Sequence, residues 1–153
     1  MSDQPLLEVR HLSKHFPVRG GLLNRVVGAS KVVEDVSFSV PRGKTLGLVG
    51  ESGSGKTTVG KCIVRLIEAT AGEILFDGQD LMKLSSTELR RKRTDMQMIY
   101  QSPAASLYPR MTVGQIIGEA LWLHEQLRGG AARQRVLELL RVVGLKDEHY
   151  HRF

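Results

Sequence analysis

At 153 residues, with 41% hydrophobic and 25% charged side chains, the chain has the size and composition of one ordinary globular domain. No apolar run approaches the ~18–20 residues of a membrane-crossing helix, and residues 1–5 lack the basic start and apolar stretch of a signal peptide, so the sequence reads as cytosolic. The single cysteine, Cys62, excludes an internal disulfide, and the net charge of +6 favours anionic partners without choosing among nucleotide, nucleic acid and lipid headgroups.

In chain order, Leu6–Arg10 alternates weakly and predicts a strand. His15–Gly21 contains Pro17 and a glycine pair, and Gly20–Ala29 reads as a flexible or inserted loop. Val36, Phe38 and Val40 alternate with serines, the period of a half-buried strand, before a turn at Pro41-Arg42-Gly43. Thr45–Val49 is a short apolar run bounded by glycine, as expected of a buried parallel strand. Beyond a glycine-rich loop, Val59, Ile63, Leu66 and Ile67 recur at helical spacing, with Cys62 as a buried thiol among them. Glu73–Phe76 with Asp77-Gly78 predicts a β-hairpin with a tight turn. Ser85-x-x-Glu88 is a capping box for a short basic helix through Arg93, and Met96–Tyr100 is another strand candidate. Thr112-x-x-Gln115 opens a helix, and a second one over Ala131–Val143 places Val136, Leu139, Leu140 and Val143 on one side, with Gly144 as its stop.

The loop carries the chemistry. Gly50-Glu-Ser-Gly-Ser-Gly-Lys-Thr-Thr58 matches G-x-x-x-x-G-K-[ST] at Gly50, Gly55, Lys56 and Thr57. Its glycines let the backbone curl so that successive N–H groups converge on phosphate oxygens, and the following helix adds the positive end of its dipole. Lys56 then serves the β- and γ-phosphates, and the Thr57 hydroxyl is a Mg²⁺ ligand. Ser52, Gly53, Ser54 and Thr58 complete the expected cradle.

The regions around this loop resemble the ABC ATPases, and more narrowly the ATPase subunits of bacterial oligopeptide and dipeptide importers. The resemblance rests on Leu12-Ser-Lys-His-Phe-Pro-Val18, Val33-Glu-Asp-Val-Ser-Phe38, Gly43–Gly53, Gly72-Glu-Ile-Leu-Phe-Asp-Gly78 and, most specifically, Tyr100-Gln-Ser-Pro-Ala-Ala-Ser-Leu-Tyr-Pro-Arg110. It implies an α/β P-loop NTPase core with an N-terminal antiparallel β subdomain over 1–111 and the start of a helical subdomain over 112–153, truncated before the end of the family's domain. It also implies ATP and Mg²⁺ as ligands, with Phe16 stacking on adenine and Gln101 approaching Mg²⁺ and the attacking water. The Gln101–Arg110 region would meet integral membrane permease subunits, a second ATPase subunit would complete the site, and the assembly would sit on the cytoplasmic face of the bacterial inner membrane. Ser102, Ala104 and Tyr108 depart from the family's usual pattern, which bears on the fit to the partner and on the exact substrate.

No Ser-Gly-Gly-Gln signature, no apolar strand ending Asp-Glu and no later switch histidine occurs in these residues. The expectation is that this chain alone hardly hydrolyses ATP, and that apolar surface is left exposed. Two rival functions are a soluble ABC protein acting on nucleic acid, against which the Gln101–Arg110 segment argues, and an inactive fragment. Among lesser signals, Arg90-Arg-Lys-Arg93 reads as a solvated helix face, and His149 with His151 lacks a third metal ligand. Trp122 and Met111 fit helix packing, and Leu22, Leu23, Val26 and Val27 are too short and poorly patterned a set to mark a membrane surface from sequence.

Overall fold

The computed structural model describes residues 4–20, 25–102 and 107–153, and the chain divides into two units, Met1–Met98 and Ile99–Phe153. In the first, β1 (Leu7–Gly20), β2 (Arg25–Val40), β3 (Ala71–Phe76) and β4 (Gln79–Asp80) form an antiparallel sheet in the order β2-β1-β3-β4. Helix α1 (Lys56–Ile63) packs on it, and α2 (Ser86–Lys92) follows. The core consists of Val9, Leu12, Val33, Val59, Cys62, Ile74 and Leu81. The antiparallel β subdomain and the helix after the glycine loop thus stand where the sequence puts them.

Local chemistry explains several boundaries. Asp77 (φ 51°) and Gly78 (φ 75°) both adopt the left-handed conformation that a two-residue hairpin between β3 and β4 demands. Ser85 Oγ accepts from the Glu88 N–H at 3.4 Å, and the Glu88 carboxylate accepts from the Ser85 N–H at 2.8 Å, which closes the capping box of α2. Cys62 is fully buried, and desolvation pushes its thiol pKa up, so it is an inert core thiol.

Two expectations change. The strands β1 and β2 run far beyond Leu6–Arg10 and Val36–Val40, through residues whose proline and glycines predict a loop: Pro17 pairs with Ala29, Val18 with Gly28 and Gly20 with Arg25. Pro17 is tolerated because, among the described residues, no third strand pairs with this part of β1 and needs its missing N–H. Leu22 and Leu23 lie outside the described residues. Conversely, neither Thr45–Val49 nor Met96–Tyr100 is a strand. A parallel strand exists only through its ladder, and no described residue pairs with either run. Leu46, Leu48, Val49 and Ile99 are accordingly exposed.

The second unit is a helical hairpin of α3 (Val113–Glu125) and α4 (Gly129–Val142), with a 3₁₀ turn over Asp147–His151. Leu121, Val136 and Leu140 are its buried centre, flanked by Val113, Ile117, Leu127, Leu139 and Tyr150. The Thr112–Gln115 capping box is present. Gly114 lets α3 meet the Tyr150 ring, since a Cβ there would lie 2.5–2.7 Å from ring atoms. Val143 departs from the expected stripe. It caps α4 and is exposed, because Gly144 (φ 77°) turns the chain away at that point. Trp122 also stays partly exposed, with the Arg128 guanidinium 5.2 Å from its ring centroid.

Candidate phosphate-binding site

The Gly50–Thr58 loop leads directly into α1, whose first residue is Lys56. The Glu51 carbonyl accepts from the Ser54 N–H at 3.2 Å, forming a turn, and Gly53 (φ 84°) and Gly55 (φ 87°) are left-handed, a conformation that side chains rarely adopt. Space adds a second reason for glycine. A Cβ on Gly55 would lie 2.5 Å from the Val32 carbonyl oxygen, and one on Gly50 would lie 2.7 Å from Ser54 Oγ. Gly55 therefore seats the loop against β2, close to the buried Val33.

The Lys56 ammonium lies inside the curl. It donates to the carbonyls of Gly50 (2.7 Å) and Glu51 (2.5 Å) and to Ser54 Oγ (3.2 Å). Gly55 is the N-cap of α1 and provides no side-chain acceptor, and no acidic residue occupies the first turn. The first N–H groups and the dipole of α1 are thus unneutralised beside a lysine, which is the electrostatic provision an anion requires. Ser52, Gly53 and Thr57 are exposed and Thr58 is half-buried. This donor set, with backbone N–H groups, one ammonium and hydroxyls, fits a polyphosphate with its divalent cation.

Phe16 stands within β1 opposite Ser30, with 37% exposure. Ser30 is two residues from Val32, against which Gly55 packs, so Phe16 stands roughly 7 Å along the strand from the loop's seat. Sequence reading missed Lys14, whose ammonium lies 4.8 Å from the Phe16 ring centroid. The available signal was spacing, because residues two apart on a strand share a face. A separate groove of about 530 Å³ adjoins Lys56 and Thr57, but Leu46, Leu48, Phe38, Val59 and Ile63 line it, and its apolar wall suits packing rather than phosphate.

Gln101 and Ser102 are exposed and belong to the second unit, as do the exposed Leu107 and Tyr108. Residues 103–106, including Ala104, lie outside the described set. Of the basic run, Lys92 lies over Phe76 at 5.0 Å and pairs with Asp95 at 3.4 Å, while Arg93 donates to the Arg65 carbonyl. Within this run, Arg90 and Arg91 face solvent without such engagement among the described residues. His149 Nδ1 accepts from the Lys146 N–H at 2.9 Å, and His151 packs edge-on against Tyr150, so their rings have local partners.

Known proteins resemble this chain in sequence and in fold. The family model described as ABC transporter matches residues 33–153. The glutathione import ATP-binding protein GsiA of Escherichia coli K12 is 50% identical, and its counterpart from Salmonella typhimurium LT2 is 49% identical, over all 153 residues. The chain spans only 25% of the length of these relatives. Among solved structures, a dimeric ATP-binding cassette in a post-hydrolysis state with ADP and Pi superposes with a TM-score of 0.76 at 23% identity. A dimeric bacterial ABC transporter cassette gives 0.73 at 22%. Each alignment covers 95% of this chain and 60% of the other.

Proposed function

Because the chain belongs to the ABC transporter family, we propose that it is the nucleotide-binding part of an importer ATPase, which takes ATP with Mg²⁺ and couples ATP hydrolysis to the uptake of small peptides. The observation that carries this reading is the Gly50–Thr58 loop curled around the Lys56 ammonium at an uncapped helix start. The names of the GsiA relatives support import, and glutathione is itself a small peptide.

In this reading the backbone N–H groups of Ser52–Thr58 receive the phosphates, and Lys56 exchanges its carbonyl acceptors for β- and γ-phosphate oxygens. Thr57 and Gln101 would hold Mg²⁺, which would supply neutralising positive charge at the phosphates. Phe16 stacks on adenine. The Gln101 amide hydrogen-bonds the attacking water. Residues 1–111 act as the catalytic core and 112–153 as the start of the helical subdomain. The Gln101–Arg110 region docks on membrane permease subunits at the cytoplasmic face of the inner membrane, and a second ATPase subunit closes the site, with no nucleic acid involved. These residues contain no Ser-Gly-Gly-Gln and no Asp-Glu strand end. On their own they are therefore expected to bind ATP without appreciable turnover, since such groups are commonly worth factors of ~10²–10⁴ each.

The test begins with the intact mass of the native gene product. A mass well above 17.0 kDa identifies these residues as part of a longer ATPase. Lys56→Ala in that product should then weaken ATP binding by about 100-fold or more and abolish the uptake of glutathione or oligopeptides. Uptake that survives the substitution refutes the reading, and nucleic acid binding that falls steeply with salt would replace it.

A further inference from the structure

Beyond His15 the β1–β2 pair leaves the sheet. The last contact of β1 with β3 is Ser13 opposite Ala71, and Thr70 reaches only as far as the His15 backbone. Among the described residues, 16–20 and 25–30 pair only with each other, as a two-stranded arm. Such a ribbon is marginal in water unless something covers it.

The composition of the arm is one-sided. No aspartate or glutamate occurs between Glu8 and Glu34, an interval that holds Arg10, Lys14, Arg19, Arg25 and Lys31. Arg10 pairs with Glu8 and Glu73, Lys31 pairs with Glu34, and Lys14 lies over Phe16. Arg19 and Arg25, at the far end, have no carboxylate partner among the described residues. Beside them Val26 and Val27 are 63% and 66% exposed, and Val18, opposite the bare Gly28, is 46% exposed. The register places Arg19 with Val26 on one face and Arg25 with Gly20 on the other, so both faces of the tip carry a guanidinium near an aliphatic side chain.

We propose that the β1–β2 arm is a membrane-surface contact, in which Arg19 and Arg25 bind the phosphates of anionic lipid headgroups while Val18, Val26 and Val27 enter the interfacial layer. Unpaired guanidinium groups select a negatively charged surface, and exposed valines on both faces of a narrow ribbon select one with apolar depth, which nucleic acid lacks. Arginine suits this boundary because its stem lies along apolar surface while its head stays at phosphate level. The contact is independent of the phosphate-loop reading.

The experiment is co-sedimentation of the full-length native gene product with vesicles of phosphatidylethanolamine containing phosphatidylglycerol, against vesicles of phosphatidylcholine alone. Binding should require phosphatidylglycerol and weaken with salt. Arg19→Gln and Arg25→Gln should each lower the partition coefficient about fivefold, and together about 25-fold. Val26→Ser with Val27→Ser should weaken binding at constant salt, while ATP affinity stays unchanged in every variant. Equal binding to both vesicle types, or no loss in the double arginine variant, overturns the proposal. So does an arm that binds RNA with the same salt dependence and no response to the valine changes. The lipid and salt dependence of the unaltered protein decides the matter even if a variant misfolds.

Discussion

Gly55→Ala separates backbone geometry from chemistry at the phosphate loop. The new Cβ would require a side chain at φ 87° and would lie 2.5 Å from the Val32 carbonyl oxygen and 3.3 Å from Val33 Cγ2. Holding a non-glycine residue in that conformation costs about 1–3 kcal/mol. Relieving an overlap with a main-chain oxygen costs about another 1–3 kcal/mol, because β2 or the whole loop must move. The sum, about 4 kcal/mol at its centre, corresponds to roughly 1,000-fold faster amide exchange where opening limits exchange. Hydrogen exchange read by mass spectrometry over 25–40 and 56–63 measures this directly. Gly28→Ala, whose Cβ meets nothing within 4 Å, is the internal standard and should leave exchange in the first unit unchanged. Gly50→Ala should fall between them at under about 1 kcal/mol, since its clash is with the rotatable Ser54 hydroxyl. If Gly55→Ala speeds exchange by less than about tenfold, the assigned packing of the loop on β2 is wrong.

Lys56→Ala should weaken ATP binding by about 100-fold or more in an equilibrium titration, through loss of a charge-assisted contact to phosphate, and affinity within threefold of the parent would contradict its role. Gly114→Ala should destabilise the α3–α4 hairpin by about 2 kcal/mol, and adding Tyr150→Ala should recover part of that loss, giving a coupling that a double-mutant cycle detects. The Glu88 carboxylate is held below the usual glutamate range, first by the Ser85 hydroxyl and then by its backbone N–H. A depressed folded-state value stabilises α2 above the unfolded-chain pKa and loses that contribution as pH falls through the folded value, so Ser85→Ala should raise the Glu88 titration midpoint in NMR. Asp147 is likewise held low by Arg141, which meets it through two bonds of 2.9 and 2.6 Å, and Arg141→Met should move its midpoint up.

Features governed by neighbours in sequence were legible from the chain. The loop could be read because its requirements are local: glycines at Gly53 and Gly55, and a lysine at the helix start. The same holds for the Asp77-Gly78 turn and for the capping boxes of Ser85 and Thr112, whose partners lie three residues away. Features that depend on distant partners were not legible. Thr45–Val49 has strand composition, yet a strand is a relation with a neighbour, and no described residue supplies one. Pro17, Gly20 and Gly28 look like breakers, yet a ribbon with free outer edges accommodates them. Phe16 follows from the resemblance, and spacing sets Lys14 on the same face of the strand, while the seat of its ammonium over the ring depends on a side-chain conformation as well.

The seat of Gly55 on β2 sets rules for how this hairpin can vary in length. The described end of the arm at Arg25, the partner of Phe16 at Ser30 and the carbonyl under Gly55 at Val32 follow one another along a single strand. One residue inserted between Ser30 and Val33 would turn every later side chain to the opposite face, carrying Val33 out of the core and moving the oxygen on which the loop rests. The same insertion beyond Arg25 would displace nothing in the core. Among descendants of this sequence, length changes in the hairpin should collect at its tip, while the interval from Ser30 to Val33 keeps a constant count.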